Sequence, residues 1–454
     1  MSEEASATCS SRFGSPSEAI ACKRAAGMNA GIRARSHHAA EGRSESRALA
    51  SAKYLREPGA KRRITCAAFE GNPEMKLPGP SSLLLPLVIV LVLLFSDTPS
   101  TSRARQSVTP SGTKTRIAII GLDHDHVWGL LKDIAGEPDA DLIAIADPHP
   151  ELVSKAKAQV SATVKFYSDY VRMLDEARPE AAVVTTANDR HLEILRECAK
   201  RHIHYSTEKP MATNAADARE MERLAGQAGI KLMVNYWNAW VAASHDLFHA
   251  VKSGQVGPVQ RIIVQYGHRG PKEIGVSQYF ADWLYDPVKN GGGAIMDFGC
   301  YGAEWALWLK GRPTRVYATA TTLKVEQRNK VDDEATIVLD YPDATMTIQA
   351  SWNWPYSKSH VEVFGPKGSL TAGRDYLFFR SAAQRGASTT PYGEPVPLNS
   401  LPDGTSNPIS YFVRSIRDDR AIEDPVSARL NVQAMEILDA ARESARTGRA
   451  QELR

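Results

Sequence analysis

The feature that most constrains this chain is a short apolar run closed by glycine, Arg116-Ile117-Ala118-Ile119-Ile120-Gly121, followed one helix-length later by Leu142-Ile143-Ala144-Ile145-Ala146-Asp147. Aliphatic runs without alternation are strands buried on both faces, and such strands belong to parallel sheets with helical crossovers. Between the two runs, Val127, Leu130, Leu131 and Ile134 recur at helical spacing after a tight turn. Strand, glycine turn, helix, strand, acid is the layout of a dinucleotide-binding βαβ unit. Asp147, 26 residues beyond Gly121, stands where a carboxylate accepts the adenosine ribose hydroxyls. Its charge would repel a 2′-phosphate, so NAD is expected ahead of NADP.

The turn departs from the GxGxxG pattern, because Gly121-Leu122-Asp123-His124-Asp125-His126 keeps only the first glycine. A carboxylate at a helix N-terminus competes with pyrophosphate for the same amides. Asp123 or Asp125 is therefore expected to cap the helix and point away from the ligand, with His124 and His126 as the alternative donors to the phosphates. Four candidate ligands within four residues cannot converge on one ion without distorting the turn, so no metal site is expected. A further pass runs from the strand Ala181 to Thr186 through a turn and helix, Asn188 to Ala199. Thr186, Asn188 and His191 lie at its carboxyl end, where a cofactor would pass, although His191 equally suits a cap or a packing position.

The next strand, Ile203 to Thr207, read as the fourth of the array, runs into Glu208-Lys209-Pro210. The residue before proline is pushed out of helical torsions, so Lys209 should project from the strand end toward a nicotinamide beside Glu208. An amine there can exchange the proton of a hydroxyl while hydride moves, provided burial and the oxidised ring lower its pKa.

Glu208-Lys209-Pro210 after such an array resembles the Gfo/Idh/MocA oxidoreductase family, which includes glucose-fructose oxidoreductase and inositol dehydrogenase. Trp283-Leu284-Tyr285-Asp286-Pro287, Gly291-Gly292-Gly293-Ala294, Met296-Asp297-Phe298-Gly299-Cys300-Tyr301 and Glu304 resemble the family's GGG and DxGxHxxD segment. The resemblance runs from about Lys114 to Arg449 and implies Lys209, Asp297 and Tyr301 as the catalytic set, with Tyr301 where many members carry histidine. The spacing is consistent on its own terms, since residues four apart stack on one helix face. Trp237 and Asn238, after the strand Lys231 to Val234, suit a sugar ring and its hydroxyls, or equally packing at a domain junction. His268 and Arg269, at the end of the alternating strand Arg261 to Gly267, are further candidates for that cleft. Cys198 and Cys300 read as small apolar fillers.

Farther on, Glu334–Tyr341, Thr345–Trp354 and His360–Phe364 read as an antiparallel meander whose free face invites a homo-oligomer. Leu430, Ala434, Ile437, Leu438 and Ala441 mark a closing amphipathic helix, which in this family returns to the first domain. The fold class expected is α/β: a Rossmann domain over 114–235, an α+β domain with an open, mainly antiparallel sheet over 236–426, and a C-terminal helix over 427–454.

Residues 1–74 carry twelve Lys/Arg against eight Asp/Glu and no sustained apolar period, and are expected to be disordered or a mis-annotated extension. The remainder carries 43 basic against 44 acidic groups, which leaves no electrostatic footprint for nucleic acid. Over 75–113, Met75-Lys76 precedes an uncharged apolar run from Leu83 to Phe95, 13 residues long. That is short for a span and right for a signal-peptide core, so export, cleaved or anchored through 83–95, is expected, with a cytoplasmic enzyme as the alternative. The expected activity is oxidation or reduction of a secondary hydroxyl of a sugar, polyol or cyclitol with NAD. Its alternatives are a glycoside hydrolase of the same fold that oxidises its substrate transiently, and a non-catalytic dinucleotide sensor.

Overall fold

In the computed structural model, residues 113–325, 330–386, 388 and 390–453 are described; the expected extension over 1–74 and leader over 75–113 lie outside them, apart from residue 113. Among the described residues no helix is long and apolar enough to cross a membrane.

The aliphatic runs build a six-stranded parallel sheet from β1 (Thr115–Ile120), β2 (Ala140–Ala146), β3 (Lys165–Tyr167), β4 (Ala181–Val184), β5 (His204–Glu208) and β6 (Leu232–Asn235), in the order β3-β2-β1-β4-β5-β6. Helices α1 (Val127–Gly136), α2 (Pro150–Lys157), α3 (Tyr170–Ala177), α4 (His191–Lys200) and α5 (Ala215–Ala228) connect them. Every residue of β4 is buried, as expected of a strand covered on both faces. The order reverses between β1 and β4, and ligands of such sheets bind beyond the carboxyl ends of the strands at that reversal. Sequence reading missed β3: one exposed and two half-buried residues at the sheet edge carry no long apolar run, so the strand bearing Glu208 is the fifth, not the fourth.

The rest of the chain contains α6 (Ala242–Lys252), β7 (Arg261–Gly267), α7 (Pro271–Ile274), α8 (Gln278–Leu284), α9 (Ala294–Asp297), α10 (Gly299–Leu309), β8 (Arg315–Thr321), β9 (Glu334–Asp340), β10 (Thr345–Ser351), β11 (Lys358–Gly365), β12 (Gly368–Ala372), β13 (Leu377–Ser381), β14 (Glu394–Pro395), α11 (Pro408–Arg417), α12 (Ala428–Thr447) and β15 (Gln451–Glu452). Its nine-stranded sheet runs β14-β13-β12-β11-β7-β10-β9-β8-β15 and is antiparallel except between β7 and β10. The expected meander is thus interrupted: β7 inserts between β10 and β11, a long-range pairing that local alternation does not encode.

Alternation buries Ala335, Ile337 and Leu339 of β9 and Met346, Ile348 and Ala350 of β10 under α9 and α10, and leaves intervening residues such as Thr336, Val338, Thr347 and Gln349 less buried. Contact with α10 is close: a Cβ on Gly302 would lie 2.3 Å from Cγ2 of Ile348. All eleven residues of α10 are buried, because α12 covers it as well. The five apolar positions singled out in α12 are buried too. This helix packs on both α5 and β8, and its Asp439 accepts from the N–H of Ala215 at 2.8 Å. Helix α11 also meets the first sheet's layer, with Ile409, Phe412 and Val413 clustered on Val127, Leu130 and Ile134 of α1.

Candidate active site

Four strand ends of the parallel sheet, those of β1, β2, β4 and β5, converge here. After β1, Gly121 adopts φ +87°, and a Cβ at that position would stand 2.4 Å from Cγ2 of Thr186 and 2.8 Å from the carbonyl of Thr185, so only glycine fits. Leu122 donates its N–H to Asp147 Oδ2 at 2.6 Å, while His149 donates its backbone N–H to Oδ1 at 2.7 Å and lies 3.0 Å away through Nδ1. A carboxylate offers about four acceptor sites, so Asp147 retains capacity for a hydroxyl.

Neither acid of the turn caps α1, whose N-cap is His126 without a side-chain bond. Asp125 instead accepts from the N–H of Ser277, at the start of α8, at 2.6 Å, and Trp283 of α8 donates to the Asp123 carbonyl at 3.3 Å. Burial, with Asp147 alongside, pushes the Asp123 carboxyl up to about 6. His124 is buried against Phe280 and Trp283, with ring centroids 4.3 and 5.5 Å away, and burial holds it well below the usual histidine value. His126 is exposed and reaches across to β5, its Nδ1 3.0 Å from Glu208 Oε2. The structure thus joins the loop after β1 to α8, a tie for which the sequence carried no local signal.

At the end of β4, Thr186 is buried and donates to the Ala187 carbonyl. Asn188 donates to Asn290 Oδ1 at 2.8 Å, while its own Oδ1 is buried without a hydrogen-bond partner. His191 is fully buried with Nδ1 3.1 Å from the Met211 carbonyl, and burial pushes it down to about 4; it packs behind the Lys209 turn.

The Lys209–Pro210 bond is cis, and Lys209 is buried at 6% exposure. Its Nζ donates to Asp297 Oδ1 at 2.5 Å and to the Asp297 carbonyl at 3.0 Å. The other carboxylate oxygen accepts from Trp352 Nε1 at 2.9 Å. Burial opposes the lysine's charge, yet the adjacent carboxylate wins and raises its pKa above the ordinary value. This corrects the expectation of a lowered lysine: a buried amine follows desolvation only when unpaired. Asp297 moves the opposite way, lowered by Lys209, His268 and Trp352 against burial. Glu208, also buried, is held below its usual value chiefly by His126, and Asn235 donates to it at 2.6 Å.

Asp297 and Tyr301 are not on one continuous helix, because α9 ends at Asp297 and Phe298 separates it from α10. Both still face the lysine, whose Nζ lies 5.0 Å from the Tyr301 ring centroid. Tyr301 stacks on Tyr266 at 4.8 Å and meets Tyr236 edge-on at 5.3 Å. Burial pushes its phenol well above the ordinary tyrosine value, which makes it a donor rather than a base. Trp237 is half-buried beside Tyr301, with ring centroids 6.3 Å apart. Asn238, expected at the substrate, is fully buried and donates to both oxygens of Glu304, whose carboxyl burial holds well above its usual range. Arg269 is exposed and donates to the Glu273 carbonyl of its own turn. His268 is half-buried, its ring 4.9 Å from that of Phe298; burial lowers its pKa, with Asp297 opposing and Lys209 reinforcing the shift. Trp352, which orients Asp297, belongs to no motif in the sequence and was missed there.

A family model described as the oxidoreductase family with an NAD-binding Rossmann fold matches residues 115–236, and one described as the GFO/IDH/MocA C-terminal domain matches 245–371. The chain belongs to the Gfo/Idh/MocA oxidoreductase family. Among its relatives, D-xylose 1-dehydrogenase (NADP(+)) 2 of Haloferax volcanii is 27% identical over 321 residues, covering 70% of this chain and 93% of that protein. Myo-inositol 2-dehydrogenase of Thermotoga maritima is 25% identical over 267 residues, or 57% of this chain and 75% of the relative. The solved aldose-aldose oxidoreductase of Caulobacter crescentus superposes with a TM-score of 0.64 at 23% identity, over 75% of this chain and all of that one, which establishes a shared fold.

The residues present fit a family dinucleotide. Gly121 forms a cradle that a Cβ would fill, Asp147 keeps acceptor capacity at the end of β2, and the orphaned Asn188 Oδ1 offers an acceptor at the end of β4. Such a fold is NAD(P)-binding, and this chain is an oxidoreductase.

Proposed function

We propose that this Gfo/Idh/MocA oxidoreductase interconverts a secondary hydroxyl and a carbonyl on a sugar, polyol or cyclitol, with NAD preferred over NADP and Lys209 as the acid/base. One observation carries the reading: a buried lysine paired with Asp297 at 2.5 Å, at a strand end of a dinucleotide-type sheet. The names of the D-xylose and myo-inositol relatives support the substrate class, and a carboxylate at Asp147 supports NAD. The nicotinamide would accept or return the hydride.

In the direction of reduction, the Lys209 ammonium donates a proton to the oxygen that becomes hydroxyl, and in oxidation the neutral amine takes it back. Asp297 holds the amine in place and favours its charged form, so reduction starts from the resting protonation state. The Tyr301 phenol donates to a substrate oxygen, and Trp237 offers a half-buried ring to a sugar face. Export through the apolar run Leu83–Phe95 and homo-oligomerisation through the open face of the nine-stranded sheet belong to the same proposal; mass spectrometry of the native protein reads both mature N-terminus and assembly.

The test is Lys209→Met in a screen of aldoses, polyols, cyclitols and simple glycosides with each nicotinamide cofactor. Turnover should fall by about 10²-fold or more, with NADH binding retained. Undiminished turnover would falsify the acid/base role, and release of a free sugar without net nicotinamide reduction would identify glycoside cleavage instead.

A further inference from the structure

The loop after β1 has Asp123 and His126 in place of two glycines of the dinucleotide pattern, with His124 between them, and hydride transfer makes no use of the two imidazoles. His124 lies in the apolar corner formed with Phe280 and Trp283, and His126 extends over the end of β4 toward β5. There it meets Glu208, the neighbour of Lys209. One ligand atom from each of His124, His126 and Glu208 lies within 4.8 Å of the other two. Sequence reading rejected a metal site because it looked only inside the turn; the third ligand comes from a strand more than eighty residues away in the chain.

We propose that His124, His126 and Glu208 bind one divalent transition-metal ion, of the zinc type. Two imidazole nitrogens and one carboxylate oxygen are a zinc donor set and a poor one for magnesium or calcium, which take oxygen ligands. Ligands about 2.1 Å from a tetrahedral ion stand about 3.4 Å apart, so a pair at the 4.8 Å limit must close by about 1.4 Å. The exposed side chain of His126 can supply that movement. Outer support is already in place: Asn235 donates to the far oxygen of Glu208 at 2.6 Å, and the Phe280 and Trp283 rings wall the site beside His124. With three protein ligands the ion keeps an open position at the sheet end where ligands of this fold bind, ready for an anionic oxygen. A cation here would restore the positive character that a glycine turn otherwise supplies through bare amides. The simpler reading, a His126–Glu208 hydrogen bond with His124 Nδ1 accepting the His126 backbone N–H at 3.2 Å, requires no metal affinity.

Chelator-treated full-length protein is titrated with Co²⁺, followed by visible absorption, and with Zn²⁺, followed by calorimetry. One equivalent of each should bind, Co²⁺ with the ligand-field bands of a four- or five-coordinate site. His126→Ala, a change at an exposed side chain, and Glu208→Gln should each weaken binding about tenfold or more, while His245→Ala, on α6, leaves it unchanged. Absence of a stoichiometric site in the unaltered protein, or equal affinity in both ligand variants, overturns the proposal. NADH binding is measured on the same metal-free samples, so failure of the metal site and failure of the dinucleotide reading are distinguished.

Discussion

Two strand ends of one sheet behave differently. At the end of β5, Lys209 meets the C-terminal half of the chain through charge: a single carboxylate takes the ammonium on one oxygen and the Trp352 indole on the other. At the end of β1, the loop meets the same half through a backbone amide on Asp125 and aromatic rings on His124. The first junction arranges a proton donor; the second closes a departed glycine turn over with α8. Charge at the first is strong and unforgiving because it is buried, whereas the second is spread over several modest contacts.

The sharpest way to break that contrast is Asp297→Asn, which leaves Lys209 buried without its counter-charge. We expect a loss of about 4 kcal/mol in denaturant unfolding. With the carboxylate gone, burial is opposed only by the weaker pull of Cys300 and Glu208 and lowers the lysine pKa, so the alkaline rise of the oxidation rate should move to lower pH. Gly121→Ala tests the other end: a left-handed torsion and a contact at 2.4 Å should together cost about 3 kcal/mol. Lost NADH binding in isothermal titration should accompany that cost.

His191, between the two ends, sharpens the comparison through pH. Its folded pKa is about 4 against an ordinary 6.5, so on acidification the unfolded chain takes up the proton first. Stability fully present above 6.5 should therefore decline by about 2 kcal/mol as pH falls to about 5. The difference between the unaltered protein and His191→Gln in denaturation at both pH values isolates this part. Smallest is Asp125→Ala, which removes the acceptor for Ser277 and should cost about 1 kcal/mol. Its signature is faster amide exchange over 277–284 with Lys209 chemistry intact; slowed proton transfer would show that the two junctions are coupled.

Local pattern made much of this legible. Unbroken aliphatic runs announced β1, β2 and β4, the run into Glu208-Lys209-Pro210 marked β5, and a helical period announced α1 and α12, because burial acts on neighbours along the chain. The three edge residues of β3, and the entry of β7 between β10 and β11, leave no such trace. The same holds at the site. Lys209, Asp297 and Tyr301 stood out by motif and do gather, whereas Asn238 looked like a ligand for sugar and turned inward to Glu304. An amide in an aromatic stretch suits either role, and only the position of a buried carboxylate decides.

By itself, then, the amino-acid order determined the parallel α/β unit, the acid after its second strand, and which lysine stands before the key proline. These depend on torsions and periodicities that a few adjacent residues impose. Tertiary structure alone decided that Asp297 raises the pKa of Lys209 against burial, that Trp352 steadies its partner, and that two loop histidines come to rest beside Glu208. Each is set by distance and dielectric between residues far apart in the chain, and electrostatic energy depends on separation in space, which no linear pattern records.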